Sequence, residues 1–206
     1  MGTTTFNGPV RSENGFQMVS KNATSGAITV TSGDKMATEA TGSAGIEGTA
    51  AVYVTQVTRL KSDVTTNVNI VKTSIMIDLT DLRDGGTAGD IIGKDGDGVA
   101  FIGRVTTANQ GTIFGGTMTC LETPAGGSTD IDLYSATEGT GVNDTAIGDL
   151  TETQLINSGG FAVGTIKAFG DVTADQYLYL VSQGTGHAAY TAGRFLIEVL
   201  GYDVAS

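Results

Sequence analysis

The sequence predicts an all-β fold, a β-sandwich of jelly-roll-like type preceded by an extended N-terminal arm, and three observations carry that expectation. Thirty-one glycines are scattered without a fixed period through 206 residues, about twice the ordinary share. Thr, Val and Ile are abundant, whereas Pro9 and Pro124 are the two prolines. Glycine admits the positive φ of tight turns, and β-branched residues suit a pleated, half-buried surface. From Thr49 onward, apolar and polar residues alternate with a period of two over strand-like lengths.

Residues 1–48 read as the arm. Large apolar side chains are sparse there among Gly, Ser, Thr and Ala, too few to offset the entropy of ordering a separate core. The short patches Thr3–Phe6, Phe16–Val19 and Ala27–Val30 suit isolated strands that satisfy their backbone groups on a neighbouring sheet. Phe6, Pro9, Val10 and Phe16 are the larger or stiffer groups of this segment. They are the candidate partner contacts, or else anchors holding the arm to its own domain.

Residues 49–206 read as the sandwich. The runs AAVYVTQVTRL and VNIVKTSIMIDLTDL alternate cleanly, with Ile75, Ile77 and Leu79 on one face. RDGG at 83–86 punctuates. IIGKDGDGVAFIGRV then predicts two strands in a hairpin about Lys94–Gly98, since Asp-Gly supplies type I′ geometry. Further strands are expected over Thr112–Leu121, Thr129–Tyr134, Phe161–Ala168, Gln176–Val181 and Arg194–Tyr202, a spacing that fits a sandwich or barrel. One short helix is expected at Asp149–Ile156, where Asp149 precedes Glu152 at the capping-box offset. No internal repeat points to a propeller or solenoid.

The net charge of −11 argues against nucleic acid as a partner, because phosphate binding needs clustered Lys and Arg. Residues 1–72 hold six basic and five acidic side chains, and residues 73–206 hold five and seventeen. The two parts therefore suit different surroundings. No run approaches the roughly 20 apolar residues of a membrane helix, and the first residues lack a secretion-signal pattern. The expectation is a chain made in the cytosol, with no membrane partner.

Chemistry-bearing patterns are sparse. His187, the single histidine, sits in SQGTGHAAY between two expected strands, where a loop role outweighs a catalytic one because no nucleophile or carboxylate is fixed beside it in sequence. No nucleophile elbow, phosphate loop, zinc pattern or dinucleotide fingerprint occurs. Asp95 and Asp97 stand at alternating positions as in a calcium loop, but the chain continues into an apolar strand where that loop needs a distal Glu. Asp130 and Asp132 read as a solvated acidic strand face, with Ile131 and Leu133 on the other side. Cys120 reads as a buried small apolar residue. Asn22-Ala23-Thr24 and Asn143-Asp144-Thr145 are chance matches to a glycosylation pattern. No catalytic residue, metal or cofactor is expected.

The opening TTTFNGPVRSENGF, with its Phe-x-Gly-Pro-Val and Asn-Gly-Phe, resembles the N-terminus of small virion proteins of tailed bacteriophages. The closing DVTADQYLYLVSQGTGHAAYTAGRFLIEVLGYDV is similar to the C-terminal halves of such proteins. The resemblance implies a non-catalytic head decoration or cement protein, generally a homotrimer, that sits on the capsid exterior and stabilises contacts between major capsid protein subunits. Two other readings remain: a tail or fibre protein recognising host glycans, and a virion hydrolase using paired carboxylates.

Overall fold

The computed structural model describes the backbone of Val19–Lys21, Ile28–Val30, 43–46, Ala51–Leu60 and 67–205 apart from residue 97, with side chains over 43–46, 70–96 and 98–202. Two compact units divide the chain, Met1–Met36 and Ala37–Ser206. In the smaller, β1 (Val19–Lys21) and β2 (Ile28–Val30) form an antiparallel ladder, Val19 opposite Val30. The Ala27–Val30 patch therefore finds a strand partner within the arm. Phe6, Pro9, Val10 and Phe16 lie outside the described residues.

The larger unit is an all-β sandwich. Its first strands are β3 (Ala51–Leu60), β4 (Asn67–Asp78), β5 (Asp90–Ile91) and β6 (Gly103–Val105). A single helical turn, α1 (Thr107–Gln110), leads into β7 (Thr112–Ala125) and β8 (Ile131–Ala136). β9 (Glu152–Ile156), β10 (Ile166–Phe169), β11 (Gln176–Ser182) and β12 (Ala192–Ala205) complete it. One antiparallel sheet runs β10-β7-β12-β4-β3; the other runs β5-β11-β8-β9, with β6 also on β11.

The period-two pattern is realised in the first sheet. Val71, Thr73, Ile75 and Ile77 of β4 are buried, and so are Phe195, Ile197 and Val199 of β12. The intervening residues form the opposite face, as the pleat requires. A single apolar core joins these side chains to Ile131, Leu133, Leu178 and Leu180 of the second sheet. Ile46 belongs to it too, fully buried. Ser43–Ile46 fall inside the stretch expected to be arm, yet Gly45 N–H donates to Val99 C=O at 2.8 Å and Gly45 C=O accepts from Lys94 N–H at 2.7 Å. One isoleucine in a polar stretch is a weak signal in sequence and a strong one once it meets a core.

Two expectations need correction. Lys94–Gly98 is not the turn of a hairpin. Ile91 pairs with Val181 and Gly103 with Leu178, and Ile92 and Ile102 N–H donate to Leu180 and Leu178 C=O at 2.9 and 2.8 Å. Residues 90–92 and 102–105 are thus one antiparallel edge along β11, interrupted between residues 92 and 102. Asp-Gly does make a local turn, with Gly96 at φ +74°, but the neighbouring strand decides the pairing. Likewise, no helix spans Asp149–Ile156. Ile147–Asp149 form a 3-10 turn, and Glu152–Ile156 pair with β8, Ala136 opposite Glu152. An edge awaiting a strand overrides a capping pattern worth little by itself.

The helical turn the sequence did not announce is α1. Thr106 caps it, its Oγ1 accepting from Asn109 N–H at 3.2 Å, while Gln110 Oε1 accepts from Thr106 N–H at 2.7 Å. Gln110 Nε2 then donates to Thr73 Oγ1 at 3.3 Å, tying the turn to β4. Gly201 of β12 permits this approach, because a Cβ there would collide with the Gln110 carbonyl.

Phe195 centres the core, fully buried and edge-on to Phe161 at 5.0 Å between ring centroids. Phe195→Ala is expected to cost about 3–5 kcal/mol of stability, read as a fall in the urea midpoint. Met76→Ala on the open face should move it by less than about 0.5 kcal/mol.

Candidate functional site

Four loops meet where the chain turns between strands. Arg83 pairs with Gly93 and with Ala189, and Asp84 N–H donates to Ala188 C=O at 3.1 Å. Asp84, buried, closes the junction: its Oδ1 accepts from Ala188 N–H and its Oδ2 from Ser128 N–H at 3.1 Å. Asn143 Nδ2 donates to Arg83 and Ile91 C=O, both at 3.1 Å. Asp144, at φ +61°, accepts from Gly86 N–H at 2.6 Å. The Asn143-Asp144-Thr145 triplet is thus a structural turn, its role hidden behind an unrelated sequence pattern.

His187 joins this cluster, its Nδ1 shielded from solvent, 3.4 Å from Asp144 Oδ1 and without a hydrogen-bond partner. A histidine beside a carboxylate is half of a catalytic relay. Among the described residues nothing is hydrogen-bonded to Nδ1 of this imidazole. The Gly86 N–H bond, then the His187 charge, hold the Asp144 carboxyl below the ordinary carboxylate range. Beside it lies a surface depression of about 230 Å³ lined by Lys94, Gly96, Gly98, Val142 and Asn143.

A second polar network lies across the other sheet and corrects the reading of a solvated acidic face. Asp132 is 1% exposed. Its Oδ2 accepts from Gln154 Nε2 and Gln183 Nε2, both at 2.9 Å, and its Oδ1 from Ser158 N–H at 2.7 Å. Ser158 Oγ in turn donates to Asp130 Oδ1 at 2.8 Å. Alternation in sequence assumes one wet face, but β8 is buried on both.

Among the described residues the outer face of the first sheet, β10-β7-β12-β4-β3, is open. Met76, Leu196, Thr119 and Ile166 stand in register across four strands. Phe114, Leu121 and Tyr202 are also exposed, Phe114 at 49% and Ile166 at 62%. The rings of Phe114 and Tyr202 lie 6.4 Å apart. The charges on this face are paired with one another: Lys72 Nζ with Glu198 at 3.0 Å, and Arg194 Nε with Asp78 at 2.9 Å and Glu122 at 3.6 Å. An apolar patch whose ions pair with one another suits contact with a protein surface.

Cys120 is buried in β7, as expected, and burial pushes its thiol up. Asp95 lies 3.6 Å from Arg83 Nε, and among the described residues no three His, Cys, Asp or Glu converge to hold a metal ion. Sequence reasoning missed the Asp84, Asp132 and Asp144 clamps, because each depends on a donor 22 to 104 residues away in the chain.

Two outcomes follow from these clamps. Asp132→Ala should cost about 2–3 kcal/mol, since it strands the buried Ser158 N–H and frees two amide side chains, measured by urea denaturation. The acid limb of the stability profile tests Asp144. A carboxyl held low in the fold contributes stability above the ordinary carboxylate pKa, lost as pH falls through the folded value. Asp144→Asn should therefore lower stability at pH 7 and converge with the parent below about pH 4, followed by denaturation midpoints across pH. Compared with known proteins, the chain matches no family model, no curated protein and no solved structure.

Proposed function

We propose that this chain is a non-catalytic virion structural protein, a decoration or cement protein that binds the outside of a tailed-phage head and stabilises contacts between major capsid protein subunits. The observation that carries the reading is the open face of the five-stranded sheet. It presents exposed apolar side chains with internally paired charges on a unit that is otherwise strongly acidic. Such a face docks on protein, while the acidic remainder keeps the particle surface soluble and repels DNA and like-charged particles. The resemblance of the opening and closing stretches to small phage virion proteins supplies the class of partner.

The carboxylates that might have served chemistry support the same reading. Asp84, Asp132 and Asp144 each accept backbone N–H groups and hold loops together. The glycan-binding alternative rests on the exposed Phe114–Tyr202 pair, since aromatic faces beside polar groups are the ordinary platform for sugars.

The test is cryo-electron microscopy of mature heads lacking this protein, after adding it back. Ordered density on the shell is expected, with the Met76–Ile166 face against capsid subunits. The variant Phe114→Glu with Ile166→Glu should stay folded and bind at least about tenfold more weakly, the loss of roughly 1.4 kcal/mol. A bare shell, or a variant that decorates as well as the parent, contradicts the proposal. Reproducible binding on a glycan array, abolished by Phe114→Ala, would favour the alternative.

A further inference from the structure

Every open sheet has two edges, and an edge strand offers a row of unpaired N–H and C=O groups to another chain. Three edges of this sandwich are guarded. β10 has four residues and includes Lys167; β9 has five and opens with Glu152; on the side of β5 and β6 the strands are two and three residues long and include Asp90 and Arg104. Short length and charge are the usual protections. The fourth edge is long, with a single charge over its ten residues. β3 runs for ten residues, AVYVTQVTRL, in unbroken register with β4 from Ala51↔Ile77 to Leu60↔Val68. Arg59 is its one charged residue, and it contains no proline. Among the described residues β3 is the outermost strand of its sheet.

We propose that β3 is a self-association edge, pairing antiparallel with β3 of a second copy across a two-fold axis normal to the sheet. The axis follows from the pleat. Directly opposed residues share a face, so a continuous sheet with both cores on one side requires registers in which odd positions face odd positions. The central registers of this kind place Thr55 opposite Thr55, or Gln56 opposite Gln56. Position 59 then opposes position 51 or 53, Ala or Tyr, and like charges do not meet. Antiparallel pairing also satisfies the edge groups of both copies at once.

Charge selects a second copy as the occupant. β3 carries Arg59 and no acidic residue, whereas residues 73–206 hold five basic and seventeen acidic side chains. Two copies therefore repel through most of their surface and least at this edge, and the two-fold places their acidic strands on opposite sides of the joint. The contact closes at two copies, since the same patch is used by both, where the phage resemblance implies three. It leaves the outer face of the sheet open, and it stands whether or not the partner of that face is a capsid.

Sedimentation velocity tests it. The parent is expected to show twice the 21.0 kDa chain mass and to dissociate on dilution. Val54→Lys with Thr58→Lys, at positions in register with Ser74 and Ile70, should reduce it to the single-chain mass with an unchanged circular dichroism spectrum. Thr153→Lys, at an exposed position of the guarded β9 edge, should leave the doubled mass. A parent that is a single chain at every concentration, a three-chain species, or a folded lysine variant that still pairs would overturn the proposal. Should the lysine variant unfold, hydrogen exchange of the parent decides. Amides of residues 51–60 should exchange more slowly as concentration rises, and concentration-independent exchange there would overturn it.

Discussion

A strand pair buried on both faces has no water to fall back on, and β8 with β11 is such a pair. Leu178, Tyr179, Leu180, Val181 and Ser182 are fully buried in β11, and Ile131, Asp132, Leu133, Ser135 and Ala136 are buried in β8. Each polar group enclosed with them needs an internal partner or costs free energy. Tyr179 donates to Glu138 C=O at 2.8 Å and accepts from Gly141 N–H at 3.3 Å. Tyr190, also buried, donates to Ser128 C=O at 3.1 Å, and burial pushes its phenol far up. Asp132 holds two glutamines and a backbone N–H. The loops over 83–90, 126–130, 137–146 and 183–190 are shaped by this demand, because they supply the groups that the doubly buried layer requires.

The two sheets consequently divide the work. The second sheet spends its polar side chains on its own loops, so acidic residues that look available in sequence are occupied by N–H donors. The first sheet follows the simpler rule of one buried and one open face, and its open face is where apolar groups reach solvent. Glu138 shows the same economy at the surface: Thr151 N–H and Oγ1 both donate to it at 2.8 Å and hold its carboxyl low.

The strands of the first sheet were legible because alternation is visible wherever one face stays wet: the runs at Ala51–Leu60 and Asn67–Asp78, and the segments beginning near Thr112 and Arg194, all form strands close to those positions. The second sheet was less so. Asp132 alternates with Ile131 and Leu133 like a surface residue, and its burial is decided by Gln154, Ser158 and Gln183, which the chain brings from elsewhere. The turn at Asp95-Gly96 was legible as a turn, but whether the flanking segments pair with each other depends on β11, whose partner residues lie 71 to 92 positions downstream. At Glu152–Ile156 a local helix signal lost to the free edge of β8. Of the candidate site, the loop position of His187 and the buried state of Cys120 were readable. The clamps at Asp84 and Asp144 and the apolar row Met76–Leu196–Thr119–Ile166 arise from registers that no single segment encodes.

The claim on which all of this rests is that the doubly buried β8–β11 layer holds the larger unit together. Native-state hydrogen exchange, followed amide by amide in low denaturant, tests it most directly. The account predicts that the hydrogen-bonded amides of Ile131–Ala136 and Leu178–Ser182 exchange only through global unfolding, with the clamped loops opening beforehand. Exchange of those amides through a local opening well below the global stability, while β4 and β12 stay protected, would contradict it.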